Sequence, residues 1–264
     1  MELEGKVAVI TGGASGIGKA MAERFRDDGM KVVIADIEQT ALDATAEELG
    51  IDGIRTDVSD LTSVEALCAT VLERHGAVHV LCNNAGVGGG GRLDAQTMRD
   101  WQWVVGVNLW GVVHGLQVFL PLLQANPDGG HVVNTASMAG LAPFPGIGVY
   151  NATKYAVVGI SETLAIELAG SSVGVSVLCP GVVNTNIFKS QRNRPEHLRN
   201  PSRNAAARAF NDGLVVQEGI AASVVADKVA AAVRDGEFWI ITHPDLLTHV
   251  DARHRALMRH SLDH

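Results

Sequence analysis

The strongest constraint on the fold is an alternation that runs through most of the chain. Short apolar, β-rich runs recur at 6–10, 31–35, 53–56, 78–82, 131–135, 173–179 and 238–241. Between them lie stretches of helical pattern at about 16–28, 38–49, 60–75, 97–125, 150–170 and 219–234. Runs such as VAVI and VVIA are apolar at successive positions, the pattern of a strand buried on both faces. A helix after each strand carries the chain back to begin the next in the same direction. The expectation is an α/β fold: one doubly wound parallel sheet of about seven strands with helices on both faces, in a single domain over 1–264.

No Pro/Ser-rich linker or repeat interrupts this rhythm. One segment, about 184–218, is polar, contains Pro195 and Pro201, and exceeds the ordinary connection of roughly 4–6 residues. It reads as a functional lid. In the tail, about 244–264, Leu246, Leu247, Val250, Leu257 and Met258 stand near helical spacing. That apolar face needs cover from its own domain or a neighbouring copy.

Composition bears on partners and location. The formal charge is −8, which argues against nucleic acid as the main partner. No stretch approaches the roughly 18 consecutive apolar residues of a membrane helix, and MELEGK lacks the basic-then-apolar order of a signal peptide. A cytoplasmic protein that does not bind membranes is expected. Cys68, Cys82 and Cys179 are far apart and read as small buried hydrophobes. His249, His254, His260 and His264 form no compact ligand set, so no metal is expected.

Between the first run and the first helix stands TGGASGIG, residues 11 to 18. The first turn of a helix offers free N–H groups and the positive end of its dipole, and so attracts phosphate. Gly12 allows a tight turn, Gly16 lets a pyrophosphate approach the backbone, and Gly18 lets the helix pack closely. The second run ends in Asp36, about 20 residues on, where a carboxylate accepts hydrogen bonds from the ribose 2′-hydroxyl of a dinucleotide. The 2′-phosphate of NADP would set an anion against this one, and Ile37 offers no basic substitute, so NAD is the expected cofactor.

With these residues in view, the pattern over about residues 4–241 resembles the short-chain dehydrogenase/reductase family. The family's T-G-x-x-x-G-x-G is Thr11 to Gly18, its N-N-A-G is Asn83-Asn84-Ala85-Gly86, and its Tyr-x-x-x-Lys is Tyr150 to Lys154. Its upstream serine matches Ser137, its helix asparagine Asn108, and its Pro-Gly followed by Thr matches Pro180-Gly181 with Thr185. The resemblance implies a single-domain Rossmann fold, an oxidoreductase acting on a small molecule, and a homotetramer or homodimer. It also places Asp57 and Val58 at the adenine, Asn84 and Gly86 along the cofactor cleft, and Thr185 at the carboxamide end. Ser15, Ile17, Ala85, Tyr150, Lys154, Pro180, Gly181 and Val183 join this cofactor-binding set. Lys154 holds the nicotinamide ribose, and Asn108 supports a water-linked proton path to it.

The residues carry chemistry on their own terms. Only two tyrosines are present, and Lys154 follows Tyr150 by four positions, on the same helix face. A phenol with pKa near 10 is a poor base at neutral pH. An ammonium about 4 Å away contributes roughly 4 kcal/mol at an effective dielectric of 20, which lowers the phenol by about two to three units at most. Tyr150 then takes the proton of an alcohol or returns it to a ketone, while Ser137 hydrogen-bonds the substrate oxygen. The candidate catalytic set is Asn108, Ser137, Tyr150 and Lys154.

Met138, Leu141, Phe144, Ile147 and Phe188 are candidates for an apolar wall, which suits an apolar secondary alcohol or ketone better than a sugar. The run Gly88 to Gly91 leaves one rim without side chains, either to admit a bulky substrate or as a mobile loop. In the lid, Lys189, Arg192, Arg194, Arg199, Arg203 and Arg208 face Glu196 alone. They read either as a solvated surface or as a clamp on an anionic substrate group. The expected activity is NAD-dependent interconversion of a secondary alcohol and a ketone. The rival is a sensor or scaffold that binds NAD without turnover, and the complete Asn-Ser-Tyr-Lys set argues against it.

Overall fold

A computed structural model describes residues 1–200 and 219–259; expectations resting on Pro201, Arg203, Arg208, His260 and His264 lie outside the described residues. The strands are β1 Val7–Thr11, β2 Lys31–Asp36, β3 Asp52–Arg55, β4 Val80–Asn83, β5 Gly130–Thr135, β6 Val173–Cys179 and β7 Trp239–Ile241. They form one seven-stranded sheet in the order β3-β2-β1-β4-β5-β6-β7, parallel at every pairing. The helices are α1 Gly16–Asp27, α2 Gln39–Leu49, α3 Leu61–His75, α4 Met98–Val105, α5 Gly111–Ala125, α6 Gly148–Glu167, α7 Ala222–Asp235 and α8 Leu247–Arg259.

Strand side chains alternate between two cores, as the two-residue period of a strand requires. Ala8 and Ile10 of β1, with Ile34 of β2, pack against Met21 and Phe25 of α1 and Val229 and Val233 of α7. Val9 and Val33, one position away, pack on the opposite face with Leu67 of α3 and Phe119 and Leu123 of α5. Both faces are therefore dry, which is why the strands read as continuous apolar runs. Cys68, Cys82 and Cys179 are buried free thiols, as expected.

The stretch read as helical over 97–125 is helical from Met98 to Ala125, with a change of winding inside it. Thr97 opens α4 with a capping box: its hydroxyl accepts from the Asp100 amide and the Asp100 carboxylate accepts from the Thr97 amide at 2.8 Å. A π-helical turn, Gly106–Trp110, then joins α4 to α5 and contains Asn108. Met98–Ala125 as a whole is long and apolar enough to cross a membrane by length and composition. In this fold Trp103, Val104, Val112, Phe119 and Leu123 are buried in the protein core.

The tail meets its expectation only in part. Leu246, in the short turn Pro244–Leu246, and Val250 of α8 pack against the cluster of Met138, Val157 and Val158. Leu257 and Met258 remain exposed.

Candidate active site

Strand order reverses between β1 and β4, so the connections after these two strands leave in opposite directions and open a crevice at the carboxyl edge of the sheet. Thr11, the last residue of β1, ties the two lips together. Its hydroxyl accepts from the Asn84 and Ala85 amides at 2.9 and 3.0 Å and donates to the Cys82 carbonyl at 3.3 Å. Asn84 reaches back, its Nδ2 donating to the Thr11 carbonyl at 2.9 Å.

The glycines of the first turn serve distinct needs. Gly12 and Gly16 have φ of 67° and 56°, the left-handed region that favours glycine. A Cβ on Gly18 would stand 2.1 Å from the Gly12 carbonyl oxygen, so α1 can start this close to the turn only without a side chain there. Asp36, at the end of β2, is tied to the same turn: its carboxylate accepts from the amides of Ala14 and Glu38, each at 3.1 Å. Burial of this group outweighs those bonds and holds its pKa above the ordinary carboxylate value.

A cavity of about 630 Å³ runs from Asp36, Asp57 and Val58 to Ser137 and Tyr150. Every residue expected at the cofactor or the reacting carbon lines it except Gly18 and Asn108. The set suits a dinucleotide: glycine backbone and the start of α1 for phosphates, carboxylates at one end for ribose hydroxyls, and a hydroxyl, a phenol and an ammonium at the other. Ser15, at the N-cap of α1, makes no side-chain bond to the helix it precedes. The first-turn amides are thus left to an anion.

At the far end the reactive groups converge from separate elements. Ser137 follows β5, with its hydroxyl donating to the Pro180 carbonyl at 3.3 Å and accepting from the Ala139 amide at 3.1 Å. Its turn-capping role and its place in the cavity therefore coexist. Tyr150 and Lys154 stand one turn apart on α6, with the ammonium 5.5 Å from the centre of the phenol ring. Lys154 is 3% exposed and donates to the Thr135 carbonyl at 2.7 Å.

One sequence expectation changes here. Burial pushes the Tyr150 phenol up to about 12, against the partial relief of its bond with Ser137. The lowering expected from the Tyr-Lys spacing is absent, burial being the larger effect, and burial also pushes the Lys154 ammonium down to about 8. Asn108, fully buried, exchanges bonds with Val87, accepting from its amide at 2.8 Å and donating to its carbonyl at 3.0 Å. It stands behind the cavity wall, bracing the chain just after Gly86.

The apolar wall is also revised. Met138, Phe144, Ile147 and Phe188 line the cavity, whereas Leu141 packs into the core beside Met138 and Val158. Leu246 joins the wall from the tail, a contribution that no local pattern signals. Gly88, Gly89 and Gly90 line the cavity without side chains, and the run is held against the lid. The Gly88 amide donates to Ser190 Oγ at 2.9 Å, and a Cβ on Gly88 would stand 3.0 Å from the Ile187 carbonyl oxygen. The small residues let the lid lie directly on this segment.

The lid arginines are paired more fully than their sequence neighbours suggest. Arg192 and Asn193 bind Glu38 beyond the end of β2, holding its carboxyl below the ordinary value. Arg194 is buried on Asp100 at 2.7 Å, and Arg199 pairs with Glu196. These three cations are therefore compensated within the protein, which removes the basis for an anion clamp built from them. Among the described residues, no group of three or more His, Cys, Asp or Glu side chains could hold a metal ion.

Comparison with known proteins agrees with this arrangement. The short chain dehydrogenase profile matches residues 6–196. A 1-deoxy-11-beta-hydroxypentalenate dehydrogenase of Streptomyces avermitilis is 34% identical, with 98% of this chain and 93% of that protein aligned. A 3beta-hydroxysteroid dehydrogenase 2 of Eggerthella lenta is 32% identical over 88% of this chain and 91% of its own. A crystal structure of a short chain dehydrogenase/reductase from Burkholderia phymatum in complex with NAD superposes with a TM-score of 0.96 at 44% identity, covering 98% of this chain and 96% of that one. Motifs, sheet order and these likenesses converge: this chain belongs to the short-chain dehydrogenase/reductase family.

Proposed function

We propose that the protein catalyses NAD-dependent interconversion of an apolar secondary alcohol and its ketone. The observation that carries this reading is a single cavity holding Asp36 and the glycine turn at one end and Ser137, Tyr150 and Lys154 at the other. When bound there, NAD supplies the acceptor or donor of a hydride. Asp36 receives the adenosine ribose and disfavours a 2′-phosphate. Lys154 bonds the nicotinamide ribose. In the reducing direction Tyr150, kept protonated by burial, donates its proton to the carbonyl oxygen while Ser137 hydrogen-bonds the same atom. In the oxidising direction Tyr150 releases its proton to solvent before accepting that of the alcohol, which is why the oxidation rises with pH.

The walls at Phe144, Ile147, Phe188 and Leu246 suit a ring-bearing or aliphatic substrate, and relatives named for hydroxysteroid and hydroxypentalenate oxidation support the same class. Membership of the family supports assembly into a homodimer or homotetramer. The test follows nicotinamide absorbance with NAD and NADP over hydroxysteroids, aliphatic alcohols, hydroxy acids and hydroxyacyl thioesters. Turnover with NAD that falls by at least 10²-fold in Tyr150→Phe, with NAD binding retained, is the expected result. NAD binding without turnover on any substrate would favour the sensor reading, and equal kcat/KM for NADP would remove the role given to Asp36.

A further inference from the structure

The peptide unit joining Pro180 to Gly181 is gripped from both sides. Its carbonyl oxygen accepts from the Ser137 hydroxyl at 3.3 Å and from the Met138 amide at 2.9 Å. Its N–H meets the chain that follows β7, lying 3.1 Å from His243 Nδ1 and 3.3 Å from Thr242 Oγ1. A Cβ on Gly181 would stand 2.6 Å from His243 Cγ, so the absence of a side chain lets the imidazole lie against the peptide. The Thr242 hydroxyl is 2.7 Å from the same Nδ1. An amide and a hydroxyl thus both donate to Nδ1. That nitrogen carries no proton, and the ring is assigned from its partners as the Nε2–H tautomer.

We propose that His243 is a positioning residue: as a hydrogen-bond acceptor it fixes the plane of the Pro180–Gly181 peptide and, through the Pro180 carbonyl, the hydroxyl of Ser137. The peptide is planar, so a rotation that releases the N–H swings the carbonyl on its other edge by the same angle. Ser137 Oγ has one hydrogen and two acceptor sites. With the hydrogen on Pro180 and one acceptor site on Ala139, the remaining site faces the Tyr150 phenol, and the rotor turns to a substrate oxygen from a defined start. Losing the Nδ1 acceptor leaves the N–H to the longer bond with Thr242 Oγ1 and so loosens the carbonyl, the rotor and the cavity wall at Gly181 together. The adenosine end, built from Asp36 and the glycine turn, is untouched.

This inference rests on the hydride-transfer reading, in which Ser137 bonds the substrate oxygen. The test compares His243→Ala, His243→Phe and His243→Asn with Tyr150→Phe, measuring kcat and KM on the best alcohol found and titrating ADP-ribose as a probe of the adenosine end. Phenylalanine keeps a ring but offers no acceptor, whereas the asparagine amide oxygen replaces Nδ1. Alanine and phenylalanine should lower kcat about five- to tenfold, the worth of one ordinary hydrogen bond, with ADP-ribose affinity within about twofold of wild type. Asparagine should restore kcat to within about twofold. A phenylalanine variant as active as wild type, an asparagine variant no better than phenylalanine, or a parallel loss of ADP-ribose binding would each overturn the proposal. Turnover that survives Tyr150→Phe would overturn the parent reading and this one with it; turnover lost there but unchanged in His243→Phe would overturn this one alone.

Discussion

Asp100→Ala should loosen the lid from the body of the protein. The carboxylate is 7% exposed and holds Arg194 Nη1 at 2.7 Å and Asn200 Nδ2 at 2.8 Å, besides closing the capping box of α4. Arg194 is equally enclosed, its guanidinium 5.1 Å from the centre of the Trp103 ring. At the 2.7 Å between Asp100 and Arg194 the attraction is roughly 6 kcal/mol at an effective dielectric of 20. Desolvation of both ions cancels much of it, and removing one partner of such a pair typically costs about 3–5 kcal/mol because the other charge is left buried. Loss of the capping box adds about 1 kcal/mol. Against this, Arg194 belongs to a surface segment and can swing into water, which limits the cost to that of opening the segment. The expected loss is about 3 kcal/mol at pH 7, which lowers Tm by roughly 6–12 °C in a chain of this size.

The pH dependence has a definite sign. Burial alone would raise the Asp100 carboxyl, but bonds from Thr97 and Arg194 outweigh it and hold the group below its ordinary value. A carboxyl depressed in the folded state contributes stability that is complete above its unfolded pKa, about 3.9, and is lost as pH falls through the folded one. The gap between wild type and variant should therefore narrow below about pH 4. Urea denaturation at pH 7 and in the acid range measures both effects. A loss below about 1 kcal/mol at pH 7, or a double variant Asp100→Ala/Arg194→Met no more stable than the single one, would refute the reasoning.

Three further outcomes follow from the same geometry. Gly159→Ala, where an added Cβ in α6 meets nothing within 4 Å, should raise stability by about 1 kcal/mol, whereas Gly18→Ala should lower it by about 1–3 kcal/mol; thermal unfolding of both variants checks the contrast. With Tyr150 pushed up to about 12, alcohol oxidation should quicken from pH 6 to 8 while ketone reduction stays flat, and kcat profiles in the two directions would show it. Arg192→Ala breaks a partly exposed pair with Glu38 and a long, exposed bond to the Asn186 carbonyl, so urea unfolding should place its stability within about 1 kcal/mol of wild type.

Much of this protein is legible without coordinates because its signals are local. Strands buried on both faces write themselves as continuous apolar runs, and the glycine turn, Asn84 and the Tyr150-Lys154 pair occupy fixed spacings that place them at strand ends or on one helix face. The π turn at Asn108 was hidden because the apolar pattern of 97–125 continues unbroken through it. The partners of the lid arginines are hidden for the opposite reason: Glu38 is 154 residues from Arg192 and Asp100 is 94 from Arg194, so neither stands in the local stretch of sequence around the lid. The Tyr150 phenol shows the same division. Spacing alone brought an ammonium near it, but its pKa depends on burial and on the bond from Ser137, which comes from another element. Sequence by itself determined the periodicities and motifs that one strand or helix can carry. Tertiary structure alone decided ion partners and solvation, because Coulomb interactions and water access depend on distance in space and not along the chain.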